Sequence, residues 1–398
     1  MFSQRSVLVD DGCVVSATVG VDPPMTTRVR VVVLPDKLVT MFEADGGGAS
    51  PVAAAAGPAV RGAQVTFRVA DPGWELQEVR LCQELWRPRD GPAFSRVPAG
   101  DAWTLELPRP PVDRMEYQLR LRRAGTGAPV VVCDPANPLR APGAFGEKSV
   151  VEFPGYRPPA WLRDADPGLD AAMRLDVPSR ALGCAVPGLL WSSPGVRQGL
   201  PAPLLLAHDG PEYARFSLLL ALLAPPPPRD EHYAASPAYA RALVSDVLPA
   251  LEALAPSPRG RRWRIGMGTS LGALALLHVH RTAPDAFGGV FLQSGSFFQE
   301  RLDPQESWRS AFAPVCAFVA GVLAGPGPAE PPPVTLTCGT AEENLANNRA
   351  VRDALRAQGY RVRLAEVSDA HNWTAWRDAF DPYLLDLLRE VWPCDAIT

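Results

Sequence analysis

The sequence predicts two domains, a C-terminal α/β domain built on a mostly parallel sheet and, before it, an N-terminal immunoglobulin-like β-sandwich. Three observations carry this prediction. In the C-terminal half, short apolar runs that end in turn residues alternate with helix-like stretches. From Gln64 to about Phe153, strand-like runs instead alternate with Pro, Gly and Asp turns. Between them the stretch from Pro154 to Gly168 is rich in Pro, Gly and Asp, which suits an exposed connection and places the boundary near residue 160. The expected division is therefore 1–160 and 161–398.

In the first domain the expected strands are Gln64–Val69, Glu78–Leu81, Ala102–Leu107, Met115–Leu121 and Val130–Cys133. Residues 1–60 read as an extension and linker: Val31–Leu34 has strand character, while Gly46 through Pro58 has the composition of a flexible tether.

In the second domain Pro203–His208 reads as a strand ending in the turn Asp209-Gly210-Pro211-Glu212-Tyr213. A brief strand is expected near Leu219–Ala224, because the run Pro225–Pro228 has no N–H groups to give to a ladder. The apolar run Arg262–Gly266 leads into Gly268-Thr269-Ser270-Leu271-Gly272, and a helix-like stretch from Ala273 to Leu277 follows. Val334–Cys338 reads as a strand followed by Gly339-Thr340-Ala341-Glu342-Glu343. An amphipathic helix is expected from about Leu345 to Gln358, closed by Gly359, then a strand over Arg361–Val367 with His371 just past its end.

Ser270 is the residue to explain. A serine on a sharp strand-to-helix turn adopts a strained backbone, and strand and helix approach closely only if the residues two before and two after lack bulk. Gly268 and Gly272 meet that need. A serine hydroxyl is too weakly acidic to attack an ester at neutral pH, so a base must take its proton and a carboxylate must orient that base. In α/β-hydrolases these occur in the order serine, acid, histidine, each on a loop after a strand. Among the five histidines, His278 and His280 lie on the apolar helix after Ser270, His232 is in a polar segment and His208 ends a strand, which leaves His371 as the base. Glu342 and Glu343 both suit the acid; Glu342 is favoured, and either would also offset the dipole of the helix that starts at Leu345. Oxyanion donors are expected from the N–H of Leu271 and one from the 209–213 turn, either Gly210 or Glu212, since Pro211 has no N–H.

Composition excludes other classes. Seven cysteines without CxxC spacing argue against a disulfide framework and a zinc site, so no metal is expected. A formal net charge of −4 without a basic run gives no support for nucleic-acid binding. No phosphate-cradling loop or dinucleotide fingerprint is present, and no cofactor is expected. No apolar run approaches the ~20 residues that span a bilayer, and Met1-Phe2-Ser3-Gln4-Arg5 lacks a signal peptide's apolar core, so a cytoplasmic location is expected.

With these residues in view, the chain resembles the enterochelin (enterobactin) esterases and related esterases of the α/β-hydrolase superfamily. The matching pieces are Ala207–Tyr213, Gly266–Gly272, Phe291–Ser296, Cys338–Asn344 and His371–Arg377. The resemblance implies a catalytic set of Ser270, His371 and Glu342, an N-terminal sandwich, and a small-molecule ester substrate: the trilactone backbone of a catecholate siderophore or its iron complex. The chain departs from that family in having Asp369-Ala370 before His371 and Asn372 after it. It also has His232 three residues after Arg229, with Glu231 beside it, and a shortened stretch from Tyr213 to Arg229. Trp373 and Trp376 are candidates to stack on catechol rings, and Arg229 and Arg377 to meet an anionic ligand. Alternatively the two tryptophans start a helix that packs on the sheet and Arg377 pairs with Asp378. Other functional readings are acyl transfer, hydrolysis of carbohydrate-linked aromatic esters, and a binding protein whose triad is vestigial.

Overall fold

The computed structural model describes residues 57–86, 91–163 (apart from 99, 126, 127, 144 and 145), 172–192, 202–208, 219–224, 226, 228–254 and 260–392, together with the strands at 15–18, 27–34 and 37–44. Residues 1–55 and 56–398 are separate units. In the first, β1 (Val15–Thr18), β2 (Thr27–Leu34) and β3 (Lys37–Ala44) form an antiparallel meander.

The second unit begins with two antiparallel sheets. One holds β4 (Ala59–Arg61), β5 (Gln64–Ala70), β7 (Ser95–Arg96) and β8 (Ala102–Pro108) in the order β4-β5-β8-β7. The other is built around β9 (Arg114–Arg123), which pairs with β6 (Leu76–Gln83), β10 (Val130–Val132) and β12 (Lys148–Glu152); β11 (Arg140–Ala141) adds to β12. Alternate residues of both sheets share one core: Val65, Phe67 and Val69 from β5, Val79 and Leu81 from β6, Met115, Tyr117 and Leu119 from β9. That is the period of two expected where one face of each sheet is covered. The alternation fails at the start of β9, where Arg114 and Glu116 are buried too, although they point away from that core.

The rest is a mixed sheet of eight strands: β13 (Met173–Ser179), β14 (Cys184–Ser192), β15 (Leu204–His208), β16 (Leu219–Leu223), β17 (Arg264–Thr269), β18 (Gly289–Gln293), β19 (Val334–Gly339) and β20 (Val362–Val367), in the order β13-β14-β16-β15-β17-β18-β19-β20. From β16 to β20 every neighbour is parallel, while β13 and β14 add an antiparallel edge. Successive residues of the central strands enter opposite cores. Leu204 and Leu206 join one with α4 (Leu271–Thr282), α5 (Phe312–Ala324) and α6 (Leu345–Ala357), whereas Leu205, Ala207, Ile265 and Met267 join the other with Leu387 and Leu388 of α8 (Leu385–Val391). A sheet buried on both faces reads as continuous apolar runs, as Leu204-Leu205-Leu206-Ala207 does. Short helices α1 (Arg229–Tyr233), α2 (Pro237–Ala242) and α3 (Leu248–Leu254) precede β17, and α7 (Trp373–Asp378) follows β20. None of the helices in the described residues is long and apolar enough to cross a membrane.

Candidate active site

β17 and α4 meet at Ser270, whose backbone is left-handed (φ 53°, ψ −121°). A non-glycine residue holds such a conformation only where its surroundings fix it. Here its N–H donates to the Gln293 carbonyl at 2.9 Å, and its own carbonyl accepts from Ser296 N at 3.1 Å and Leu274 N at 3.3 Å. The turn is possible because Gly268 has no side chain: a Cβ there would lie 2.5 Å from the Gly272 carbonyl carbon and oxygen. Leu271 is the first residue of α4, so its N–H has no acceptor within the helix and adds to the positive end of the helix dipole.

Ser270, Glu342 and His371 converge. His371 Nε2 is 3.2 Å from Ser270 Oγ, and His371 Nδ1 is 2.7 Å from Glu342 Oε2. A proton on Nδ1, donated to the carboxylate, leaves Nε2 with its lone pair toward the serine O–H. The Glu342 side chain is 1% exposed against 37% for His371, so the carboxylate is enclosed while the imidazole is partly exposed. Its other oxygen, Oε1, accepts from Ser294 Oγ and from Gly339 N, each at 2.6 Å. Such a buried carboxylate is tolerable because both oxygens are hydrogen-bonded. Glu343, its neighbour, is exposed.

Ser294 is a participant that sequence reasoning missed. It also has a left-handed backbone (φ 49°), and its Oγ accepts from the indole N–H of Trp376 at 2.8 Å while donating to Glu342. Its partners lie 48 and 82 residues away, and no local signal marks such a pairing. Asn344 and Asn348 hold the same turn: Asn344 Nδ2 donates to the Ser294 and Gly295 carbonyls at 2.8 and 3.1 Å, and Asn348 Nδ2 to the Gly295 carbonyl at 3.0 Å. Ser296 Oγ lies 3.1 Å from Ser270 Oγ.

The structure turns Trp376 inward. It is buried, and its ring meets His371 edge-on at 4.9 Å and Trp373 at 5.1 Å, so it packs beneath the imidazole and has no open face for a ligand. Trp373 is half-buried at the start of α7, and Arg377 donates from Nε to Asp378 Oδ1 at 2.8 Å. Arg229 sits at the start of α1 with its guanidinium 5.3 Å from the Tyr233 ring centre. Gly210 and Glu212 lie outside the described residues.

The remaining histidines lie elsewhere. His208 is buried against Tyr233 and Tyr239. His280 contacts the Tyr360 hydroxyl at 3.0 Å, and burial pushes its pKa down to about 4. His278 packs edge-on to Phe318, and His232 is on α1. Among the described residues no group of three or more His, Cys, Asp and Glu side chains is placed to hold a metal ion.

A family model described as "Putative esterase" matches residues 227–387, the span that contains Ser270, Glu342 and His371. No curated protein sequence matches the chain. Among solved structures, the enterobactin esterase from Shigella flexneri, determined in the presence of enterobactin, is 20% identical, with 83% of this chain and 94% of that chain covered and a TM-score of 0.67. The ferric enterobactin esterase from Salmonella typhimurium is 18% identical, with 82% and 94% covered and a TM-score of 0.69. At these identities the fold is what is shared. The chain thus carries the sequence pattern of the esterase family over residues 227–387, on the fold of the enterochelin esterases.

Proposed function

We propose that the protein is a serine esterase in which Ser270 is the nucleophile, His371 the general base and Glu342 the residue that orients it. The observation that carries this reading is the unbroken path from Glu342 Oε2 through the imidazole to Ser270 Oγ, at 2.7 and 3.2 Å. As Oγ attacks the ester carbonyl carbon its proton passes to Nε2, and the imidazolium so formed faces the Glu342 carboxylate across Nδ1. The carbonyl oxygen, now negative, is met by the Leu271 N–H and by a second N–H from the 209–213 turn, assigned to Gly210. Nε2 returns the proton to the departing alcohol, leaving an acyl group on Oγ. Water then attacks that acyl group, giving its proton to Nε2, and Nε2 passes it to Ser270 Oγ as the acyl–oxygen bond breaks, releasing the acid product and the free serine.

For the substrate we propose the ester backbone of a catecholate siderophore, free or iron-loaded. The fold shared with the enterobactin esterases supports this, as do the family-like segments around Ser270, Glu342 and His371. Trp373, Arg229 and Arg377 are the proposed ligand contacts, Trp373 through its uncovered face. We also read the two antiparallel sheets before residue 160 as an immunoglobulin-like sandwich that precedes an α/β-hydrolase domain at 161–398.

Hydrolysis of a cyclic tri-serine catecholate, with and without iron, compared with p-nitrophenyl esters, tests the substrate. Preference for the catecholate supports the proposal, and equal or lower turnover of it would redirect the assignment to simple or carbohydrate-linked esters. Ser270→Ala tests the chemistry: the folded variant should lose turnover, and retained turnover would refute the role given to Ser270.

A further inference from the structure

We propose that Arg114, on β9 of the N-terminal sheets, is a positioning residue for His371, acting through the two residues that flank it, Asp369 and Asn372. The proposal rests on the reading of His371 as the base.

His371 stands on the short loop between β20 and α7, and that loop is gripped from the other domain. Arg114 is 2% exposed. Its Nη2 donates to Asn372 Oδ1 at 2.8 Å and to Glu116 Oε1 at 2.9 Å, and its Nε lies 3.4 Å from Asp369 Oδ2. Asp369 in turn accepts at Oδ1 from Ala370 N at 2.7 Å and from Asn372 Nδ2 at 2.8 Å. Asn372 Oδ1 also accepts from Ala375 N at 2.9 Å, which caps α7. The chain before and after His371 is therefore closed into one buried polar ring with Arg114 as its cation.

The same strand end adds a backbone tie, Asp113 N to the Ser368 carbonyl at 2.7 Å. At the far end of α7 the Tyr156 hydroxyl donates to Asp378 Oδ2 at 2.7 Å. These ties explain why the polar residues Arg114 and Glu116 are buried on the face of β9 that points away from its own core.

Burying a guanidinium with carboxylates is costly, and apolar residues of similar size generally stabilise an interface as well or better. What a ring of hydrogen bonds closed by one ion pair supplies instead is fixed geometry. Proton transfer needs that, because Nε2 must stay within hydrogen-bond reach of Oγ. Apart from the 3.2 Å approach of Nε2 to Ser270 Oγ, the imidazole is held by an edge contact with Trp376 and the bond from Nδ1 to Glu342, so loop position sets the imidazole position.

The test compares Arg114→Met, Arg114→Lys and Asp369→Asn with wild type. It uses p-nitrophenyl acetate kinetics, thermal unfolding, and the downfield proton NMR signal of the His371 Nδ1–H bonded to Glu342. In Arg114→Met we expect kcat to fall tenfold or more with KM within twofold, and the Nδ1–H signal to broaden or shift. Arg114→Lys should recover part of both, and Asp369→Asn should show a smaller change of the same sign. A folded Arg114→Met with unchanged kcat and unchanged signal would overturn the proposal. So would a loss accounted for wholly by the unfolded fraction. If Arg114→Met does not fold, an unchanged signal in Asp369→Asn and Arg114→Lys overturns it equally. The signal is read without substrate, so an inactive wild type would count against the esterase reading alone.

Discussion

Ser294 Oγ donates to Glu342 Oε1 at 2.6 Å, so the carboxylate that faces His371 is itself held by a hydroxyl from the loop next to Ser270. The turn after β18 thereby ties acid to nucleophile, since the Gln293 carbonyl at its start accepts the Ser270 N–H at 2.9 Å, and the indole of Trp376, which meets His371 edge-on, donates to the same Ser294 Oγ.

Glu342→Gln should keep the fold and lower kcat by about 10³–10⁴, because an amide facing Nδ1 favours the wrong imidazole tautomer. Glu343→Gln, at an exposed position, should leave kcat within about twofold. A larger loss in Glu343→Gln than in Glu342→Gln would reverse the assignment of the acid.

Ser294→Ala removes one of the donors to a buried carboxylate and the acceptor of a buried indole N–H. Glu342 Oε1 keeps the Gly339 N–H, so the indole N–H is the group left unpaired, which costs about 1–3 kcal/mol. Urea unfolding should therefore show a loss in that range, accompanied by reduced kcat, whereas Ser294→Thr should retain most of both if its methyl is accommodated.

Gly268→Ala places a methyl 2.5 Å from the backbone of Gly272. Backbone cannot step aside as a flexible side chain can, so either α4 or Ser270 must move. The expected result is a stability loss of about 1–3 kcal/mol or more together with a fall in activity larger than that of Ser294→Ala. A variant with wild-type stability and turnover would show that this close approach does not matter.

Asp369 is pushed up to about 6 by burial, with Arg114 opposing the rise. An acid bound more tightly to its proton in the folded chain contributes stability that is full below its ordinary range near 4 and lost as pH rises through the folded value. The effect amounts to about 1.4 kcal/mol for each tenfold difference in proton affinity between the folded and unfolded chain. The stability of wild type relative to Asp369→Asn should accordingly decline from about pH 4 to about pH 7, as read by urea unfolding at each pH. An increase over that interval would mean that Arg114 more than offsets the burial.

Much of this arrangement was legible in the sequence because it is local. Ser270 between Gly268 and Gly272, and His371 just after the Val362–Val367 strand, are marked by their own neighbours. The helix over Leu345–Ala357 ends at Gly359 with φ 86°, as its glycine stop implied. The choice between Glu342 and Glu343 was not legible, since spacing does not show which side chain turns inward. Nor were Ser294 and Arg114, whose partners are distant in sequence. Arg114 and Asn372, for example, are 258 residues apart. For Trp376 the sequence allows both a ligand platform beside the base and packing at a helix start; the side chain is buried on α7 with its ring edge-on to the imidazole. The antiparallel edge went unread because β13 alternates exposed and buried residues but turns only Leu175 and Val177 inward as apolar side chains, while β14, with prolines and glycine nearby, shows no regular alternation.

The most direct measurement is intact mass and peptide mapping after a fluorophosphonate reacts with the folded protein. A single adduct on Ser270 is expected in wild type, absent in Ser270→Ala and formed far more slowly in His371→Ala. An adduct on another residue, or labelling of Ser270 that is indifferent to the loss of His371, would contradict the account.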